Sequence, residues 1–133
     1  MPLGTAVDVR YNPLKDSVNS LDEYKSMIDE LVKRSRSVKS EWVKKGQFPA
    51  TSENEEINNL LVSLSTEQKN LIARLINETK SSGIHDTLAY FSELQHLSNL
   101  TISINGKELP NEPFGTELNF DYCARQSGDD WPE

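Results

Sequence analysis

The clearest pattern of apolar and polar positions lies in the first third of the chain and predicts one long amphipathic helix. Asn19 or Ser20 can cap its start, and Gly46 can end it after a cationic last turn. Between these ends, residues that can face a core recur at steps of three and four: Leu21, Tyr24, Ile28, Leu31, Ser35, Val38 and Trp42. A helix of about 25 residues would be about 38 Å long. It would run the length of a small fold or reach a partner chain.

A Phe-Pro pair interrupts this pattern, and two shorter helices are predicted after it. Ser52 with Glu55, and Ser65 with Gln68, have the spacing of capping boxes. The predicted apolar faces are Ile57, Leu60, Leu61 and Leu64 in one helix, and Leu71, Ile72, Leu75 and Ile76 in the other. Because the connection between the two helices is short, it indicates an antiparallel αα-hairpin.

The pattern then predicts a fourth helix and a β-hairpin. Ser81-Ser82-Gly83 is expected to end the preceding helix, and Asp86 is a good N-cap for the next one. Its apolar residues are Leu88, Phe91 and Leu94. The period changes to two at Leu100, Ile102 and Ile104. Asn105-Gly106 is a strong signal for a two-residue hairpin loop that pairs Ile104 with Lys107 and Ile102 with Leu109.

The last element, over residues 116–127, fits two kinds of structure. Apolar residues alternate through it as in a strand, whereas Thr116 as a cap and Gly128 as a stop fit a helix. Helix is the favoured interpretation, because Ala124, Arg125 and Gln126 are weak strand formers.

These elements together predict a mainly α fold. We expect a small helical bundle with a long first helix, an αα-hairpin, a fourth helix, one short β-hairpin and a C-terminal helix. Residues 17–133 would form a single domain with the β-hairpin near 100–109, preceded by an irregular arm over residues 1–16. The arm residues able to hold it in place are Val7, Val9, Tyr11 and Leu14.

The net charge of −7 is unevenly distributed. Residues 1–49 carry nine Lys/Arg and seven Asp/Glu, whereas residues 50–133 carry five and fourteen. The acidic part argues against binding to nucleic acid or an anionic membrane and favours a basic protein partner, although acidity also serves solubility alone. One cysteine and the lack of a signal-like or membrane-spanning run predict a cytoplasmic protein.

The sequence contains no complete catalytic, cofactor or metal motif, so we predict no cofactor and no metal site. Cys123 could pair with His85 or His96 as nucleophile and base, but a lone cysteine is more often a small buried apolar residue. The i, i+4 spacing of metal ligands on a helix is missing among His85, Asp86, Glu93 and His96.

Two sets of residues in the glycine- and proline-marked last third are candidates for function. The first set consists of His85, Asp86, Tyr122 and Arg125. These would share a polar ligand-binding or catalytic pocket if the tail folds back on the fourth helix. In the second set, Asp129 and Asp130 precede Trp131, which either packs into the domain, the commoner outcome, or anchors a partner.

Four strings in the second half carry a resemblance to a known family: GIHDTLAYF (83–91), NGKELP (105–110), PFGTELNFDYCAR (113–125) and GDDWPE (128–133). They resemble a family of small bacterial proteins catalogued as a domain of unknown function, over about residue 18 to the end. The resemblance implies a compact, mostly helical bacterial protein, and it supplies no activity or catalytic residue. It adds interest to six residues inside these strings: His85, Asp86, Tyr122, Arg125, Asp129 and Trp131.

The leading hypothesis from the sequence is a non-enzymatic protein that binds a protein partner or a second copy of itself. Small inhibitors and immunity proteins are similar in type, being small, acidic and cytosolic. The alternative is a small enzyme or ligand-binding protein with a polar pocket between the fourth helix and the C-terminal segment. A purely structural homodimer is a third interpretation, and no nucleic acid or membrane is expected as a partner.

Overall fold

The computed structural model of the chain describes residues 19–133, which form five α-helices, a 3₁₀ turn and a two-stranded hairpin. The elements are α1 (Ser20–Lys33), α2 (Val38–Lys45), the 3₁₀ turn (Ser52–Asn54), α3 (Glu55–Val62), α4 (Thr66–Leu97), β1 (Ser103–Ile104), β2 (Lys107–Glu108) and α5 (Leu118–Gln126). The prediction of a mainly α fold with a short β-hairpin and a C-terminal helix is confirmed. The predicted arm lies outside the described residues.

The prediction of one uninterrupted first helix is wrong, because the chain bends between α1 and α2. Asn19 caps α1 as expected, but Ser37 starts a new helix by accepting the amide of Lys39. The bend is fixed to α4, since the Ser37 amide donates to the Asn77 side chain at 2.9 Å. Serine hydroxyls compete with helical backbone bonds, so the serines of this segment favour a break that the apolar spacing conceals.

The predicted break between the third and fourth helices is also wrong. Helix α4 continues for 32 residues through Gly83, and Asp86 lies in its interior rather than at an N-cap. The start of α4 is as predicted, with a complete Ser65–Gln68 capping box. The corresponding box at Ser52 does not form, because a 3₁₀ turn begins there without a side-chain cap. Packing along α4 outweighs the helix penalty of about 1 kcal/mol for an interior glycine.

Two apolar cores lie along α4. One core contains the buried residues Tyr24, Ile28, Leu88, Leu118 and Tyr122, and joins α1 and α5 to the second half of α4. The other contains Val43, Leu61 and Ala73, and joins α2 and α3 to the first half. The principal helical neighbours of α4 are α2 and α5 rather than α3, so the expected αα-hairpin is a short connection without extensive helix pairing.

The predicted apolar faces are only partly buried. Residues Val38, Leu60, Leu71 and Leu75 are exposed, whereas the neighbouring Val43, Leu61 and Ala73 are buried. The bend before Ser37 changes which residues of α2 face α4, so Val43 takes the core position that the single-helix pattern gave to Val38. Continuing the apolar face of α1 into α2, as if they were one helix, therefore predicts the wrong buried residues in α2.

The β-hairpin has the predicted register. Ile104 pairs with Lys107, and the amide of Leu109 donates to the carbonyl of Ile102 at 2.7 Å. Asn105 and Gly106 both have positive φ angles, 54° and 77°, as a type I′ turn requires. The Asn105 side chain donates to Glu23, which ties the turn to the first part of α1.

Helix α5 is held between α1 and α4 by polar groups as well as by the core. Its first amide, that of Leu118, donates to the buried hydroxyl of Ser92 on α4 at 3.1 Å. At its other end, Gly128 has a φ of 91°, and the amides of Gly128 and Asp129 close a Schellman motif. The alternative of a strand over this segment is thereby excluded, and the predicted stop at Gly128 is confirmed.

A buried carboxylate fixes α5 against α1. Asp121 is 5% exposed, and its two oxygens accept hydrogen bonds from the hydroxyls of Tyr24 and Thr116. Burial, and then the bond to Asp121, raise the pKa of Tyr24 well above its usual range. Tyr24 therefore stays a neutral donor over the whole working range of pH.

No helix within residues 19–133 is both long enough and apolar enough to cross a lipid bilayer.

Replacing Tyr24 by Phe should destabilise the protein by about 1–3 kcal/mol, because one oxygen of the buried Asp121 carboxylate would lose its donor. Chemical unfolding followed by circular dichroism measures the change. Tyr90→Phe is the matched control, since Tyr90 is 56% exposed and its substitution should change the free energy of unfolding by no more than about 0.5 kcal/mol. Equal effects of the two substitutions would contradict the role given to the buried bond.

Candidate site at the C-terminal pocket

The last third of the chain encloses a small pocket, here called the C-terminal pocket. It has a volume of about 180 Å³. Its lining comes from α5, the loop before it and the tail after it: Phe114, Thr116, Phe120, Asp121, Ala124, Arg125, Asp129, Asp130, Trp131 and Pro132. Two of the strings that carry the family resemblance, PFGTELNFDYCAR and GDDWPE, thus meet around one cavity.

Asp29 of α1 holds one wall of the pocket in place. Its carboxylate accepts from Arg125 Nε at 2.7 Å, from Arg125 Nη2 at 3.3 Å and from Trp131 Nε1 at 3.1 Å. The partial burial of Asp29 opposes its ionisation, but the hydrogen bonds from Arg125 and Trp131 outweigh it and lower the pKa of the carboxyl. A charged, two-pronged contact of this kind fixes the orientation of the guanidinium.

The tail returns over α1 through aromatic contacts. The Trp131 ring lies 5.4 Å from Phe114 and 6.2 Å from Tyr24, between ring centroids. The Arg125 guanidinium stacks over Trp131 at 4.9 Å, and its Nη1 donates to the Asp129 carbonyl at 2.8 Å. Trp131 therefore packs into the fold, which is the commoner of the two outcomes considered from the sequence.

The chemistry of the pocket is acidic and aromatic. Among the described residues, three carboxylates line it, those of Asp121, Asp129 and Asp130, together with one guanidinium, that of Arg125, which is paired with Asp29. Asp129 and Asp130 are exposed, and Phe120 is 57% exposed at the rim. Aromatic faces and carboxylates both attract a cation, so the pocket is suited to a positively charged side chain.

The four residues proposed for a shared polar pocket have three separate sets of partners. Tyr122 is buried, and its hydroxyl is 2.7 Å from that of Ser81 on α4. Arg125 faces α1 through Asp29, and only Arg125 of the four lines the C-terminal pocket. His85 and Asp86 contact each other at 3.1 Å on α4. A common site for all four stays a prediction.

The remaining sequence candidates lie elsewhere. Cys123 is exposed, so the expectation of a buried apolar residue is wrong, because its neighbours Asp121 and Tyr122 occupy the buried face of α5. His96 pairs with Glu112 at 3.1 Å. Among residues 19–133, no group of three or more His, Cys, Asp or Glu side chains is arranged to hold a metal ion.

Sequence reasoning missed the two carboxylates that hold the pocket-lining side chains in place. The sequence pattern singled out neither Asp29 of α1 nor Asp121 of α5. The signal that points to them is the presence of a carboxylate, a guanidinium and an indole in segments that must pack together, since buried polar groups require partners. Asp29 is 96 residues from Arg125 and 102 residues from Trp131 in the sequence, so local spacing does not reveal that these side chains pair.

A second, polar cavity lies between the middle of α4 and the end of α5. Its α4 residues, 77–82, belong to the predicted third helix, so the polar pocket predicted between the fourth helix and the C-terminal segment stays a prediction. This α4–α5 pocket has a volume of about 570 Å³, and it is lined by Ser35, Arg36, Asn77, Glu78, Ser81, Ser82 and Gln126. Its hydroxyl and amide groups differ from the residues predicted for the site. Ser81 connects this pocket to one of the predicted site residues, because its hydroxyl contacts that of Tyr122. Ser81 also accepts a hydrogen bond from Gln126.

Comparison with known proteins agrees with the resemblance seen in the sequence. The model of a protein family described as "Family of unknown function (DUF6547)" matches residues 17–133, and the chain belongs to that family. No curated protein and no solved structure matches the chain. The family assignment covers both pockets and brings no activity with it.

The stability of the protein should fall in acid more steeply than that of an Asp29→Asn variant. Folding lowers the pKa of Asp29 from an unfolded value of about 3.9, so its contribution is complete above that value. It is lost as the pH falls through the lower pKa of the folded state. Unfolding free energies measured between about pH 7 and pH 2 test this. Glu93→Gln removes an exposed carboxylate on α4 and serves as the control, and a parallel pH profile for Asp29→Asn and wild type would contradict the prediction.

Proposed function

We propose that this member of the family of unknown function is a non-enzymatic protein that binds a protein partner, with a lysine or arginine side chain of the partner in the C-terminal pocket. The observation that carries the proposal is the meeting of three aromatic rings and three carboxylates around one cavity of about 180 Å³. We propose a bacterial, cytoplasmic setting, and a role similar in type to that of small inhibitors and immunity proteins.

The size of the cavity favours a single side chain. Liquid water occupies about 30 Å³ per molecule, so the pocket has the volume of a few waters. Aromatic rings attract a cation through the electron density of their faces, by about 0.5–2 kcal/mol depending on desolvation. Phe120 at the exposed rim adds an apolar surface of the kind that often dominates binding energy.

The state of the lining groups favours binding over catalysis. Asp121 already accepts from two hydroxyls, and Arg125 is held by Asp29. A general acid or base needs a proton that it can exchange with the substrate, whereas these two groups act as fixed parts of the wall. The exposed Asp129 and Asp130 then supply the negative charge that meets the partner.

The charge of the whole chain supports a basic partner. Residues 50–133 carry nine more acidic than basic side chains, and they contain almost all of the pocket. A field of this sign accelerates the approach of a positively charged surface and weakens with added salt.

Titration with a capped lysine should show the preference directly. N-acetyl-lysinamide, followed by ¹⁵N NMR, is expected to shift the Trp131 indole signal and the amides of residues 120–131. Capped norleucine, which has an uncharged side chain, should shift them at least tenfold less at the same concentration. Asp129→Asn combined with Asp130→Asn should weaken lysine binding by about tenfold, equivalent to about 1.4 kcal/mol.

Glu53→Gln combined with Glu56→Gln is the control for this double variant, since it removes the same charge from an exposed surface at the 3₁₀ turn and α3. Lysine binding should be unchanged in it. Equal shifts from lysine and norleucine, or equal weakening by the two double variants, would contradict a specific site for a cation.

The polar α4–α5 pocket supports a second candidate function, the binding of a small polar ligand. The observation that favours it is a cavity of about 570 Å³ lined by three serines, two amides and one residue of each charge. A panel of small sugars, amino acids and nucleosides screened by ligand-observed NMR tests it. Ser82→Tyr should reduce binding by filling the cavity, whereas Glu93→Tyr elsewhere on α4 should not. A panel without a Ser82-dependent ligand would remove support for this alternative.

A further inference from the structure

The described lining of the α4–α5 pocket is polar and carries both signs of charge. Arg36 comes from the bend between α1 and α2, and Glu78 comes from α4, among hydroxyls and amides. None of the lining side chains within residues 19–133 is aromatic or aliphatic. A nucleobase would have no ring on which to stack, and a neutral sugar would cover both charges without pairing them. The lining therefore favours a small ligand that carries one positive and one negative charge.

The positive charge of the pocket lies at the bend between α1 and α2. Lys80 Nζ donates to the Arg36 carbonyl at 2.9 Å, so a second cation lies beside the residue that carries the guanidinium. Among the described residues, no carboxylate forms an ion pair with Arg36. A guanidinium can bind a carboxylate through two parallel N–H bonds. Arg36 is therefore available to a carboxylate of the ligand.

Asn77 supplies a donor that the fold has already oriented. Its Oδ1 accepts the Ser37 amide at 2.9 Å, and the residue is half-buried in the lining of the pocket. Nδ2 carries two further donors, and no side chain or carbonyl of residues 19–133 accepts from them. Because Ser37 directly follows Arg36, the bond to Asn77 brings this amide next to the segment that carries the guanidinium.

The acceptors of the pocket come from α4 and from the end of α5. Gln126 donates from Nε2 to Ser81 Oγ, and its Oε1 remains as an acceptor. Ser81 also contacts the hydroxyl of the buried Tyr122, so the Gln126 amide is anchored to the core. The Glu78 carboxylate lies 3.6 Å from Arg74 in an exposed pair, of a kind that contributes little stability. An ammonium group, which has three donors and no acceptor, matches these two acceptors.

We propose that the α4–α5 pocket binds a free α-amino acid with an uncharged polar side chain, a proposal that rests on the second candidate function given above. The α-carboxylate is bound by Arg36 and the Asn77 amide, and the α-ammonium by Glu78 and Gln126. Ser82 is exposed in the lining, and its hydroxyl is left to pair with the polar side chain of the ligand.

Titration with L-glutamine, followed by ¹⁵N NMR, tests the need for both charges. The amides of residues 77–82 and the side-chain amide of Gln126 are expected to shift. N-acetyl-L-glutamine lacks the ammonium and L-glutaminamide lacks the carboxylate, so each should bind about tenfold more weakly. Equal affinities for the three ligands would overturn the proposal.

Two substitutions test which residue meets which charge. Arg36→Gln should weaken L-glutamine at least fivefold without weakening L-glutaminamide, which has no carboxylate to lose. Glu78→Gln should weaken L-glutamine to a similar extent without weakening N-acetyl-L-glutamine. Lys39→Gln on α2 and Glu67→Gln on α4 remove exposed charges outside the pocket and should leave all three affinities unchanged. Equal weakening of the three ligands by Arg36→Gln or by Glu78→Gln would contradict the assigned pairing.

The failure of this proposal is distinguishable from that of the candidate function on which it rests. A sugar or nucleoside that binds and is lost in Ser82→Tyr, with no binding of L-glutamine, would overturn the amino-acid assignment and keep the pocket as a ligand site. Absence of binding by every small ligand would overturn both. The Trp131 indole signal reports on the C-terminal pocket and should not respond to L-glutamine in any variant.

Discussion

The buried carboxylate of Asp121 is the constraint on which the arrangement of the C-terminal third depends. A carboxylate that is 5% exposed is tolerated only when its oxygens have donors. Tyr24 supplies one from α1, and Thr116 supplies the other from the loop before α5. α1, the loop before α5 and α5 itself are therefore fixed relative to one another before any ligand binds. The aromatic side chains of the C-terminal pocket are held in place by these same elements.

A second polar layer connects the same helix to α4. The hydroxyl of Ser92 accepts a hydrogen bond from the first amide of α5, and the hydroxyl of Ser81 contacts that of Tyr122 in the middle of α5 and accepts from Gln126 at its end. Small hydroxyl side chains allow close helix packing and also satisfy buried polar groups. Directional hydrogen bonds as well as apolar contacts therefore fix the orientation of α5 along α4. The positions of Asp129, Asp130 and Trp131, which follow α5, depend on this alignment.

Sequence reasoning succeeded where the determinants are local and failed where they are distant. The hairpin at Asn105 follows from turn chemistry alone, and the stop at Gly128 from the preference of glycine for a positive φ. Gly83 has the same local signal as a helix end, but contacts of α4 with α5 override it. The candidate site shows the same division, since Arg125 and Trp131 stood out in the sequence, whereas their common partner Asp29 is about a hundred residues away.

The placement of Gly83 has a consequence for how the molecule loses its structure. It lies between the residues of α4 that serve the Val43 core and those that serve the Tyr24 core, where the backbone is least favourable to a helix. We expect the two halves to open as separate cooperative units, with amides of α2 and α3 exchanging with solvent without loss of protection around Tyr122. A partner that binds at one end of the molecule would then leave the local unfolding of the other end unchanged.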